Sequence, residues 1–430
     1  TRQEGSKNAP LHITNSQPQA WNWPYWNIES IYFLSTTALG DQATLKTRIY
    51  RNTFDNLLRG FDDHTQTSQT LPAGRVFNSW YDDVAWGGSA QLDVALGALD
   101  TLTVAAHYRR DKHTEWQQTF PAGFIEPKQD NVEDTYSIAA ENRMMLSPQL
   151  TFINGMSFDW RDLKKAEEYG AVPGQTGNRI FSYPIRNSSA FNAQAQILWT
   201  PTEATRAHAS LSSRARFPTV FERFSSRFGG ATSNPDLKAE RSNNAEIGLT
   251  HDLGPVRIDG AVFYSWLRDV IVAFPMIFNG AAVTQSRNLG KGEYYGAEIA
   301  LNGRLGRTLS FGANYTHTHR DLKDPTNAAF QPTGVPAHKG FVYADWQPVE
   351  AVHILPSVDI ASDRWTVTTD GARYYRTGSY AQANLRVDFN VTENIAIGAG
   401  VRNAFDDSYQ LTDGFPEPGR RFFLTARFVN

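Results

Sequence analysis

Between Ala381 and Val391 the chain reads Ala-Gln-Ala-Asn-Leu-Arg-Val-Asp-Phe-Asn-Val. Every odd position is apolar and every even position is Gln, Asn, Arg or Asp. Successive side chains of an extended chain point to opposite faces, so this segment sets one apolar face against one polar face. A corner at Thr392-Glu393 separates it from Ile395–Val401, where odd positions are again apolar. A looser segment leads to Phe422, Leu424, Ala426 and Phe428, with Phe423, Thr425 and Arg427 between them. The spacing is two, not the 3.6 of a helix, so the unit is a hairpin followed by a last strand.

The same alternation recurs upstream. Ala43, Leu45 and Ile49 alternate with Thr44, Lys46 and Arg48, and Ala245, Ile247 and Leu249 with Asn244, Glu246 and Gly248. Leu309, Phe311, Ala313 and Tyr315 alternate with Ser310, Gly312 and Asn314. No stretch keeps a capped helical period, so the fold class is all-β. Tight corners at Gly40-Asp41, Ala98–Asp100, Ser147-Pro148, Pro201-Thr202, Leu253–Pro255, Leu305-Gly306, Pro348–Glu350 and Thr392-Glu393 take turns with long polar stretches. Those stretches are Phe54–Asn78, Asp111–Asp130, Asp162–Asn187, Phe217–Glu240, Ala273–Lys291, Arg320–Pro336, Thr366–Gly378 and Asn403–Gly419. Short turns on one side and long loops on the other predict an antiparallel transmembrane β-barrel with periplasmic turns and extracellular loops.

Composition agrees with that class. The mean hydropathy of −0.46 does not argue against a membrane, because barrel strands alternate and average to mild polarity. No window approaches the roughly 18 uninterrupted apolar residues of a membrane helix. A net charge of −3 gives no basic surface for nucleic acid. The absence of Cys excludes disulfides and thiolate metal sites. Trp199 and Trp346 fall beside tight corners, and Trp160, Trp266 and Trp365 near the long-loop ends, as the two aromatic girdles of a barrel require.

Counting alternations gives about 17 strands, an odd number where single-chain bacterial barrels have even ones. Ile28–Thr36 descends from the long-loop side, which places residues before Trp26 in an external loop. Parity therefore predicts an odd number of further strands before Thr1.

One segment is more specific than alternation. From Ser213 it reads Ser-Arg-Ala-Arg-Phe-Pro-Thr-Val-Phe-Glu-Arg-Phe, then Ser233-Asn-Pro-Asp-Leu-Lys-Ala-Glu240, then Asn243-Asn-Ala-Glu-Ile-Gly248. Asn-Pro-Asp favours a turn. Arg216, Pro218, Glu222, Asn234, Pro235, Asp236, Leu237, Lys238, Glu240, Glu246 and Gly248 match a pattern that resembles the TonB-dependent outer-membrane receptors, siderophore receptors in particular. Ala239 departs where that family usually has Pro. Asn288–Glu298 and the closing Val401–Tyr409 with Gly419–Phe428 extend the resemblance. These motif residues are expected to brace the inner wall, with Glu240 and Glu246 facing inward towards Arg214 or Arg241.

The resemblance implies a barrel of about 22 strands around a plug, and so residues 1–430 as the C-terminal portion of the barrel, with the plug and first strands absent from this stretch. It implies energy-coupled uptake of a ferric siderophore or similar scarce nutrient, through the TonB complex acting on the plug, at the outer membrane and in contact with its lipid. The other reading is a passive porin-like channel or a surface-binding barrel. Arg and aromatic faces suit flat anionic ferric complexes, which makes Trp23, Tyr25, Trp26, Arg75, Trp80, Tyr81, Arg223 and Arg227 the ligand-contact candidates. Neither a cofactor nor a metal site is expected: His317 and His319 share one side of a strand, but no third ligand completes a site. No nucleophile elbow or phosphate loop appears, so no enzyme is expected.

Overall fold

The computed structural model describes all residues except 16–18, 72–75, 173–174, 225–230, 279–280, 325–326, 369–370 and 429–430. Among the described residues seventeen strands pair antiparallel in chain order. The first group is β1 (Trp21–Ala38), β2 (Ala43–Gly60), β3 (Phe77–Ala95), β4 (Asp100–Thr119), β5 (Gln129–Ser147) and β6 (Leu150–Ala171). Then come β7 (Ser188–Thr202), β8 (Thr205–Arg216), β9 (Glu240–Leu253), β10 (Val256–Arg268), β11 (Lys291–Leu305) and β12 (Leu309–Leu322). The last are β13 (His338–Val349), β14 (Val352–Ala361), β15 (Tyr380–Asn390), β16 (Ile395–Arg402) and β17 (Arg421–Phe428). Arg2–Gln3 and Lys7–Asn8 add short rungs to the free side of β1. No ladder among the described residues joins β17 to β1.

Each predicted corner joins two consecutive strands, and Gly254 and Gly306 take positive φ there, as tight hairpins require. At the other end separate hairpins form at residues 271–288, 364–377 and 410–416, and short strands at residues 124–125 and 178–182 fold back on β4 and β6.

The alternation sorts the two faces. On β15 Leu385, Val387 and Phe389 are exposed, as is Ile397 on β16. Gln382, Asn384, Arg386 and Asp388 take the other face, where Asn384 donates to Ser357 and Arg386 to Asp388. Exposed apolar side chains on one face and bonded polar ones on the other are the inverse of a soluble sandwich. They fit a wall with lipid outside and a polar lumen inside.

Two expectations need correction. β1 begins at Trp21, so Trp23, Tyr25 and the residues just before Trp26 are strand, not loop. The first long loops are also shorter than predicted, because β2 to β6 continue well past the bilayer. Strand length was set by the roughly 9–11 residues that cross a membrane, but backbone pairing has no reason to stop at the headgroups while neighbouring strands supply partners.

Ile247 and Glu246 are adjacent on β9 and face opposite ways, Ile247 being exposed on the lipid side. Ile247→Arg in the protein folded into liposomes should therefore cost about 2–4 kcal/mol. Glu246→Gln should stay within ~1 kcal/mol, since the amide still accepts a hydrogen bond from His208. Urea titrations would check the pair, and equal effects would refute the assigned faces.

Candidate functional site

The matched motif folds as a clamp between β8 and β9 at the extracellular end. Thr219 caps a one-turn helix, α1 (Val220–Phe224), and Glu222 completes the capping box. The Thr219 amide donates to Glu222 at 2.8 Å, and the Glu222 amide to the Thr219 hydroxyl at 3.1 Å. Arg216 donates from Nε to Glu240 at 2.6 Å and from Nη1 to Glu222 at 3.0 Å. One guanidinium thus fixes the last residue of β8, the start of α1 and the first residue of β9. Glu240 also accepts the Ile271 amide at 2.8 Å, tying in the hairpin of residues 271–288. Asn234 opens the turn that carries Pro235 and donates to the Ser286 carbonyl at 2.8 Å.

Glu240 and Glu246 do face inward, but their partners differ from the expected Arg214 and Arg241. Arg214 bonds to Gln194, and Arg241 turns to Ser213 and the Phe191 carbonyl. Glu246 instead meets His208 at 2.9 Å. Gly248 lies directly opposite His208, and a Cβ there would run into the imidazole. The Glu-x-Gly spacing thus leaves room for the ring that its own Glu holds.

Helix α1 seats against the lumen face of β3 to β6. Val220 and Phe224 pack on Leu163 and Ala166, with Tyr183 alongside. Phe221 meets the rings of Tyr81 and His113 edge-on at 6.2 and 6.3 Å. Pro218 is fully buried, and its carbonyl accepts from Arg161. Beneath the helix Glu133 lies 3.1 Å from Arg161 Nε and 3.6 Å from Arg223 Nη1, all three buried. Burial raises the Glu133 carboxyl to about 7, against the pull of Arg161 and Arg223. Burial and the neighbouring Arg161 lower Arg223. His113 bridges Asp83 at 2.5 Å and Glu115 at 3.3 Å. Burial alone would lower its pKa, but the two carboxylates outweigh that and lift it to about 10.

The predicted contact residues separate into groups. Tyr81 and Arg223 both lie in this buried mouth, Tyr81 against His113 and Phe221, and Arg223 against Glu133. Trp23 and Trp26 form an edge-on pair on β1, with the Lys7 ammonium 3.2 Å over Trp26. Tyr25 is half-buried on the same strand. Trp80 stacks on Trp116 at 5.6 Å, on the opposite face from Tyr81. Arg75 and Arg227 lie outside the described residues. The buried His113 and Glu115 fall in residues 111–130, which a sequence reading assigns to loop, and the pairing of Glu133 with Arg161 and Arg223 joins residues too far apart in the chain to form a local motif. Among the described residues no group of three His, Asp or Glu side chains is arranged to hold a metal ion.

A lipid-facing wall of paired strands, crowned by loops clamped onto its inner face, is the architecture of an outer-membrane barrel. The family described as "TonB dependent receptor-like, beta-barrel" matches residues 3–404, and the chain belongs to that family. It is 26% identical over 208 residues to the iron-regulated outer membrane virulence protein of Vibrio cholerae, a match covering 46% of this chain and 32% of that one. It is 23% identical over 407 residues to the ferric enterobactin receptor of Pseudomonas aeruginosa, covering 80% of this chain and 51% of that one. Among solved structures it superimposes on the copper transporter OprC with a TM-score of 0.80 at 17% identity, over 95% of this chain and 66% of that one. The siderophore receptor PiuA of Acinetobacter baumannii gives 0.71 at 14%, over 95% and 64%. The chain spans between 32% and 51% of the length of the curated relatives it matches.

Two outcomes follow from the buried mouth. Glu133→Gln leaves two guanidiniums without a counter-charge, and freeing α1 should become easier by about 3–5 kcal/mol, seen as faster backbone hydrogen exchange over residues 218–224. Unchanged exchange there would show that the ion triad does not hold the helix. For His113, a pKa raised from 6.5 to about 10 means stability fully present below pH ~6.5 and lost as pH rises towards 10. Its imidazole resonance should therefore show no titration between pH 5 and 8.

Proposed function

We propose that this chain forms the barrel part of a receptor that takes a ferric siderophore, or a similarly scarce chelate, across the outer membrane with energy supplied through TonB. The observation that carries this reading is the clamped mouth. Arg216, Glu222 and Glu240 fix a loop helix whose Phe221, Arg223 and Phe224 pack down onto the inner face of the wall. A loop folded into the mouth in this way suits controlled capture from outside rather than an always-open pore. The names of the relatives point towards iron, and the family supplies the TonB coupling. No covalent step is involved: the barrel binds, and a plug in the lumen moves. We propose further that strands outside Thr1–Asn430 pair with the open edges of β1 and β17, and that a plug accompanies them.

The experiment is uptake of radiolabelled ferric chelates by cells lacking the full gene. Specific high-affinity uptake of at least one chelate should disappear, return on complementation, and stop when the inner-membrane proton gradient is collapsed. Unchanged uptake of every chelate would overturn the siderophore reading. Steady conductance of the full-length protein in a planar bilayer would favour a passive channel.

A further inference from the structure

The outer wall of β3 to β6 carries a charged layer that plays no part in ligand capture from the lumen. Trp86, Tyr108, Tyr136 and Trp160 cross these strands as one aromatic row, with successive ring centroids 5.3, 5.0 and 5.2 Å apart. Such a row marks the boundary between hydrocarbon and headgroups. Immediately above it on the same face Arg110 of β4 lies opposite Asp134 of β5, donating from Nε at 2.6 Å and Nη2 at 2.7 Å. Lys164 of β6 reaches Asp162 at 3.3 Å and Asp134 at 3.9 Å. One tier higher Lys112 and Lys165 both reach Asp130 at 3.2 Å, and Lys165 also reaches Glu167 at 3.0 Å.

The charges cancel in number but not in depth. The side chains of Arg110, Lys112, Lys164 and Lys165 are between 39% and 47% exposed. Those of Asp134, Asp130, Asp162 and Glu167 are between 2% and 29% exposed. The carboxylates therefore form a floor that orders the cations, and the surface offered outward is cationic. Each ammonium has three donors and the guanidinium five, so donors remain for an anion lying on top. The two tiers sit about 7 and 13 Å along the strand above the aromatic row, at headgroup height. Phosphate is the anion found there, and two cationic tiers suit two phosphates.

We propose that this face binds a multiply phosphorylated glycolipid of the outer leaflet, with one phosphate over Arg110 and Lys164 and another over Lys112 and Lys165. The site is independent of what the lumen transports. It would anchor the wall that carries the α1 seat, since Glu133 and Asp134 are neighbours on β5 facing opposite sides.

The test uses the full-length receptor in phosphatidylcholine nanodiscs containing a small fraction of diphosphorylated glycolipid, with retained lipid counted by native mass spectrometry. A variant carrying Arg110→Gln, Lys112→Gln, Lys164→Gln and Lys165→Gln should retain it less, by about fivefold for each cation removed. Replacing the three lysines with Arg should preserve retention, which separates lost charge from a misfolded wall. Equal retention by the Gln variant would overturn the proposal. So would equal retention of the same glycolipid stripped of its phosphates, or of singly charged phosphatidylglycerol. Inorganic phosphate binding that falls in the Gln variant while glycolipid retention does not would reassign the face to a free anion.

Discussion

The structure depends on one constraint: in hydrocarbon every backbone N–H and C=O must find its partner inside the protein. A sheet meets this with ladders between neighbours, and the continuous pairing from β1 to β17 does so for every strand that lies between those two. Once the backbone is committed, only the side chains choose which face meets lipid and which meets the lumen, with a period of two. Ile247 and Glu246 follow from that choice, as do the exposed Leu385, Val387 and Phe389 opposite Arg386 and Asp388. The usual relation between burial and hydrophobicity is inverted. That inversion belongs to the membrane-facing wall: the fully buried side chains mix Phe77, Leu58, Leu163 and Phe224 with Asn131, Asn403 and Asp134.

Above the membrane a second problem replaces the first. Long loops must be ordered without a hydrophobic core of ordinary size. Here a small cluster of Leu163, Ala166, Val220 and Phe224 supplies apolar contact, and charge does the rest. Arg216 joins three elements with one planar fork, a geometry that Lys could not reproduce. Arg161 and Arg223 flank a single Glu133, an arrangement in which removing one charge strands another. Such a network contributes little net stability against a well-packed apolar alternative but strongly disfavours any other placement of the loop. The motif residues thus specify where the loop sits more than how firmly the barrel holds.

The fold was legible because each corner of the chain carries a local signal. Gly254 and Gly306 sit at positive φ in tight turns, and alternation on either side is strict. The site was legible only in part. Arg216, Glu222, Glu240 and Gly248 stand out as a spaced motif, and the structure joins Arg216 directly to both glutamates. Their sequence neighbours misled: Arg241 follows Glu240 but faces outward, because the two residues occupy opposite faces of β9. The ionic groups under α1 were invisible for a different reason. His113 and Glu115 lie on a strand extension that a bilayer-length estimate cuts off, Glu133 lies on the next strand, and among their partners are groups from strands and a loop far along the chain. No local pattern encodes that meeting.

The overshoot of the strands also fixes side chains that a loop would leave to be ordered. A loop tip that explores many conformations pays ordering entropy whenever it grips a ligand. Side chains on a paired wall do not, since their backbone is already fixed. From β2 to β6 the wall rises beyond the aromatic row of Trp86, Tyr108, Tyr136 and Trp160, carrying Tyr81, Asp83, His113 and Glu133 on its inner side as a preformed rim. Helix α1 covers part of that rim, with Phe221 against Tyr81 and His113 and Arg223 against Glu133. Helix α1 is held there by the clamp at Arg216 on one side and by Glu133 on the other, so the loop and the wall it covers are ordered by the same few charges.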